Sequence, residues 1–204
     1  MSAKLKAAVG VLLILVGIAT ICLGIFMLRG GSGYEYGDVE TAGLADAGDA
    51  VVLGAVSFSV TAEQLTEAAR EELWAGVAEE DAYAHAEKAL VEKYAMYTKA
   101  LAAGIAPDEE AVREDLEYNR EISKTAGNYA DFQSFLDFIG MTHDEYWDSQ
   151  YESLLEYDVI DRYKQKLKAE FISAGKSEAD WAAHYAAIVE DAVKKEKIKV
   201  RSIG

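Results

Sequence analysis

Hydrophobic and polar positions follow four successive patterns along this chain, and each predicts an element. From Ala7 to Leu28 there is no rhythm at all: AAVGVLLILVGIATICLGIFML is 22 residues without a charge. A helix of that length spans about 33 Å, enough for the hydrocarbon core of a bilayer. Residues 51–60, VVLGAVSFSV, are β-branched and aromatic with partial alternation, and predict a short strand. From Thr61 to about Lys197 the spacing becomes helical. At the end, Ile198 and Val200 alternate with Lys197, Lys199 and Arg201, the pattern of a half-buried strand.

The helical region is punctuated by start and stop signals. Thr61 with Gln64 forms a capping box, and Val60 with Leu65 a hydrophobic staple. Leu90, Tyr94, Tyr97 and Leu101 recur on one helix face, and Gly104 ends that helix. Pro107 opens the next, with Asp108, Glu109 and Glu110 at its positive dipole end. Gly127 is expected to stop it and Asn128 to cap another, which Gly140 ends. Thr142 with Glu145 makes a second capping box, stapled by Met141 and Tyr146. One long helix is expected from Thr142 to about Phe171, its inner stripe including Trp147, Tyr151, Leu154, Ile160, Tyr163, Leu167 and Phe171. Gly175 ends it and Ser177 caps a last helix that turns Trp181, Tyr185, Ile188 and Val189 inward. The two strands, 51–60 and 197–202, are expected to pair. A two-stranded ribbon is marginal alone and must lean on the helices. The fold class is therefore mainly α: a transmembrane helix, then a multi-helix domain closed by a small two-stranded sheet.

Charge sharpens the picture. Lys4 and Lys6 precede the apolar run and Arg29 follows it, which places the N-terminus in the cytoplasm and the body outside, on a single-pass anchor. A cleaved signal peptide is the alternative; its apolar region is usually shorter, about 7–15 residues. Residues 30–50 hold six glycines in 21 positions and read as a flexible tether. The expected organisation is 1–29 stub and anchor, 30–50 linker, 51–204 one helical domain. From residue 30 onward there are 17 bases against 36 acids, a net of −19, which argues against nucleic acid and anionic lipid as ligands. The lone cysteine, Cys22, lies in the apolar run, so the exported body has no disulfide and relies on its core.

No constellation for catalysis accompanies these elements. His85, His143 and His184 stand singly, are read as lying on solvated faces, and have no metal-ligand spacing. The acidic clusters Glu79-Glu80-Asp81 and Asp108-Glu109-Glu110 are helix N-termini. GGSG at 30–33 lacks the lysine and the strand–helix context of a phosphate loop. No metal or cofactor is expected. The unusual resource is aromatic: 12 Tyr, 6 Phe and 3 Trp. Most belong in the core, yet tyrosine hydroxyls want partners, and Tyr and Met suit a surface that accepts varied apolar segments. The candidate peptide-binding residues are Tyr94, Tyr97, Tyr118, Phe138, Met141, Tyr146, Trp147 and Tyr151.

The order of these elements resembles the N-terminal chaperone domain of the SurA and PrsA family of exported foldases. The resemblance rests on VVLGAVSFSVTAEQL at the start, ALAAGIAPDEEAV at 100–112, DFQSFLDFIGMTHDEYWDSQYESLLEYDVIDRYKQKL at 131–167 and KKEKIKV at 194–200. It covers about 51–200. The family's Val-Asn-Gly turn is replaced by VLGAVSF, and Pro107 stands where a serine is common. About eight residues follow the last helix, whereas a parvulin isomerase domain needs on the order of 90–100. The resemblance implies a chaperone that binds unfolded or newly exported polypeptides without isomerase activity, enzymatic turnover or cofactor. The alternative is an envelope scaffold module that docks one specific protein partner.

Overall fold

In a computed structural model of the protein, residues 47–200 are described; the apolar run at 7–28 and residues 30–46 of the tether lie outside them. Among the described residues no helix is long and apolar enough to cross a membrane. The chain is mainly helical, with a small sheet. Its elements are β1 (Val51–Gly54), β2 (Ser59–Thr61), α1 (Ala62–Trp74), α2 (Glu79–Ala102), α3 (Glu109–Ser123), α4 (Tyr129–Ile139), α5 (His143–Ser149), α6 (Tyr151–Ser173), a 3₁₀ turn (Glu178–Asp180), α7 (Trp181–Glu196) and β3 (Lys199–Val200).

The sheet has three strands where two were expected. The run 51–60 is a hairpin, and the order is β2-β1-β3, antiparallel throughout. Leu53 sits at the centre, opposite Val60 on one side and Val200 on the other. The reversal occurs at Ala55–Phe58, where Ala55 N–H donates to the Phe58 carbonyl at 3.0 Å. Turning back lets Leu53 and Val60 both reach the core, where both are buried, and leaves Val56 outside. The last residue of α7 holds the turn. Glu196 accepts from Val56 N–H through its carbonyl and from Ser57 N–H through Oε2, each at 2.9 Å.

By contact density the described chain divides into two compact units, 47–106 with 159–200, and 107–158. In the first, α1 and α7 both pack on α2. The centre of α2 is consequently lined by small residues, Ala82, Ala86, Ala95 and Ala100, among Tyr83, Leu90, Val91 and Met96. This double burial explains why the expected stripe of α2 is only partly right. Leu90 is enclosed and Tyr94 and Tyr97 are half-buried, whereas Leu101 is exposed. Val159, Tyr163, Val189, Ala192 and Val193 complete the same core.

Helix termini follow local chemistry closely. The Thr61–Gln64 and Thr142–Glu145 capping boxes are both formed. Gly104, Gly140 and Gly175 take positive φ at or just beyond their helix ends. Two expected caps act differently: Asn128 makes no side-chain cap bond, and Ser177 caps the 3₁₀ turn while α7 starts after Asp180. Three further boundaries also differ from expectation. Asp108, rather than Pro107, is the N-cap of α3, accepting from Ala111 N–H at 3.2 Å. That helix ends at Ser123, before Gly127, because Thr125 and Ala126 close turns onto the Ile122 and Ser123 carbonyls and Thr125 Oγ1 donates to Ile122 as well. The expected long helix from Thr142 is interrupted at Gln150. There Ser149 Oγ donates back to the Tyr146 carbonyl at 2.7 Å, and Gln150 N–H closes a tighter bond onto Trp147.

Candidate functional site

The unit formed by residues 107–158 carries a ring cluster built from two short helices. Gly140, at φ 72°, turns the chain out of α4, and the capping box on Thr142 starts α5 two residues later. The turn brings Phe132 and Leu136 of α4 against Tyr146 of α5, and these three are enclosed. Tyr129, Phe135, Ile139, Met141 and Trp147 surround them, each partly buried. The rings meet edge to face: Phe132 and Tyr146 at 5.2 Å and 76°, Tyr146 and Trp147 at 5.5 Å and 82°, Phe135 and Tyr146 at 6.1 Å and 86°. This geometry sets the positive edge of one ring on the negative face of the next and adds about 0.5–1.5 kcal/mol per pair to area burial.

The eight candidate residues are divided between the units. Met141, Tyr146 and Trp147 lie in the cluster, with Tyr146 in its interior. Phe138 is on the same helix as Phe132 but is 53% exposed, and Tyr118 on α3 is 47% exposed. Tyr151 stands apart from the cluster, its ring covered by the Arg113 guanidinium at 4.6 Å. Tyr94 and Tyr97 belong to the other unit and pack on its core; Tyr94 stacks obliquely on Phe58 at 5.5 Å and accepts from Gln64 Nε2 at 3.2 Å. Sequence reasoning passed over Phe132, Tyr129, Phe135 and Leu136. Their signal is legible afterwards, since 129, 132, 136 and 139 share one helical face.

His143 also corrects the expectation of a solvated side chain. It is only 13% exposed, between Ser123 of α3 and the rings of Tyr129 and Phe132. Its Nε2 lies 2.8 Å from Ser123 Oγ and 3.2 Å from Trp147 Nε1, and its Nδ1 lies 3.5 Å from Asp144 Oδ1. Indole nitrogen only donates, so Nε2 carries the lone pair and the neutral ring is protonated on Nδ1. The order Ser123, His143, Asp144 is that of a nucleophile triad, but the setting opposes that chemistry. Ser123 is 3% exposed and ends a helix, where carbonyls rather than N–H groups point outward. A helix end offers no set of free backbone N–H groups of the kind that cradle an oxyanion. Around this trio, Arg120 pairs with Asp148 and with Glu117, and Lys124 with Glu121 at 2.8 Å. The Asp148 hydrogen bond holds the Arg120 guanidinium above its ordinary value.

His184 is likewise not free in solvent: its ring stacks on Phe171 at 4.6 Å, in the unit that contains α7. A polar depression in that unit is lined by Gly48, Asp49, Glu63, Thr66, Glu67 and Arg70. Among the described residues no group of His, Cys, Asp and Glu side chains is arranged to hold a metal ion. Comparison with family models, with curated proteins and with solved structures finds no match.

Proposed function

We propose that this protein is a membrane-anchored, extracytoplasmic holder of other polypeptides, and that the ring cluster of residues 129–147 supplies its contact surface. The reading is supported by one observation above others. Only three residues of the cluster are enclosed, while Phe135, Met141 and Trp147 remain partly open and Phe138 projects. Apolar surface offered by rigid rings and a pliant methionine suits weak binding to varied unfolded segments. The strongly acidic body adds solubility and favours clients with basic stretches. Binding of this kind requires no reacting group and no cofactor. In this reading the resemblance of residues 51–200 to the SurA and PrsA chaperone domain extends to its task.

The test is suppression of aggregation of a reduced, unfolding model protein by the full chain, repeated with Phe138→Ser and Met141→Ser. Suppression that falls in the variants while their melting curves stay within a few degrees supports the proposal. Absence of suppression by the parent chain, with one stoichiometric partner recovered instead, would replace it by the scaffold alternative.

A further inference from the structure

We propose that His143 is a proton-operated latch on the indole of Trp147. The argument rests on donor and acceptor arithmetic at one atom. In the neutral ring Nε2 is an acceptor, and it faces the Trp147 Nε1–H donor at 3.2 Å and the Ser123 hydroxyl at 2.8 Å, whose proton has both Nε2 and the Arg120 carbonyl within reach. Protonation turns Nε2 into a donor. The two partners then respond differently. Ser123 adapts by rotating its hydroxyl: the proton turns to the Arg120 carbonyl, 2.9 Å away, and Oγ accepts from the imidazolium. Trp147 has no such freedom, since an indole N–H cannot accept. Two N–H groups are left facing each other, and the indole loses the acceptor it has among the described residues. Protonation therefore keeps the tie between α3 and α5 while releasing the ring of Trp147.

The surroundings tolerate the charge. On α5, Asp144 faces Nδ1 at 3.5 Å, and Asp148 is engaged with Arg120. On α3, the cations Arg120 and Lys124 are each matched by carboxylates, Glu117 with Asp148 and Glu121 respectively, and Ser123 is neutral. On α4, Tyr129 and Phe132 present ring contacts at 6.1 and 6.0 Å. Four carboxylates against two cations leave a local field that accepts an imidazolium. The latch stands whether or not the cluster binds polypeptides.

The full chain labelled with ¹⁵N in tryptophan provides the test. Three indole N–H resonances are expected, and Trp147→Phe identifies the one in question. As the pH is lowered, the Trp147 resonance should move upfield in a single one-proton step. It should also exchange faster with water below the midpoint. That midpoint should match the titration of the His143 ring protons, and the step should vanish in His143→Gln but persist in His184→Gln. A Trp147 resonance that stays fixed while His143 titrates would overturn the proposal. So would a step that survives in His143→Gln, or one whose midpoint follows another histidine. The comparison of midpoints is made in the parent chain and stands even where a variant fails to fold.

Discussion

At the scale of single residues, rings that look alike in the sequence have different tasks. Phe132 is 6% exposed and touches four other rings, whereas Phe138, six positions on, is 53% exposed. Phe132→Ala should lower the unfolding free energy by about 3 kcal/mol or more, because a buried cavity is left behind. Phe138→Ala should stay within about 0.5 kcal/mol of the parent, as a surface change removed from buried features. Denaturant melts of the two variants separate them; equal losses would mean that Phe138 is as enclosed as Phe132. A second residue-scale prediction concerns Tyr185. Burial, reinforced by Asp161, Glu92 and Tyr163, pushes its phenol up to about 12. The raised value means that the folded state holds this proton more tightly than the unfolded one. The associated stability is fully present below pH of about 10 and is lost as the pH rises towards 12. Tyr185→Phe should therefore abolish the latest step in the alkaline absorbance titration and flatten the loss of stability across that window. An unchanged late step would assign it to another tyrosine.

At the scale of elements, the hairpin of β1 and β2 is tied to the far end of the chain through one side chain. Glu196 is buried and its Oε2 receives Ser57 N–H from the turn. Glu196→Ala removes the acceptor of that donor; Ser57 is exposed, so water can replace it and the loss is that of an ordinary hydrogen bond, about 0.5–1.5 kcal/mol. The loss should fall with the same midpoint on the sheet and on α7, because both meet at this residue. Hydrogen exchange at Ser57 and Leu53 measures it; unchanged protection at Ser57 would show that the turn holds without the carboxylate. The same scale explains which boundaries the sequence made readable. Capping boxes at Thr61 and Thr142 and the glycines at 104, 140 and 175 act within four residues, so their chemistry is visible locally. The stop at Ser123 and the interruption at Gln150 depend on side-chain hydroxyls bonding backward, from Thr125 to Ile122 and from Ser149 to Tyr146. Such bonds compete with helix continuation and carry no fixed sequence signature.

At the scale of the whole molecule, the two units differ in how much apolar surface they enclose. Among the described residues, nineteen buried side chains form one continuous core in the unit of 47–106 and 159–200. The ring cluster of 107–158 has three, with Val112 and Leu116 buried elsewhere on α3. Local opening free energy follows the apolar area lost on opening. Amides of α4 and α5 should therefore exchange by local opening at lower free energy than those of α2 and α7 in native-state hydrogen exchange. Uniform protection across both sets would contradict this and imply a single cooperative unit.

The sequence by itself determined the class of the fold and much of its punctuation. Period, capping residues and glycine stops are short-range properties, and they suffice to place most of the helices and to assign the sheet to the two ends of the helical run. Three things were left to tertiary structure. The run 51–60 folds back because Leu53 and Val60 both need the core, a demand set by helices distant in sequence. Leu101 lies outward although its spacing matches that of Leu90, Tyr94 and Tyr97, since which faces of a helix are covered depends on what packs there. His143 looked like a solvated histidine and is enclosed instead, because Ser123, Tyr129 and Trp147 converge on it only once the turn at Gly140 has been made. Local chemistry is written along the chain, whereas burial and the direction of a proton are properties of residues brought together across it.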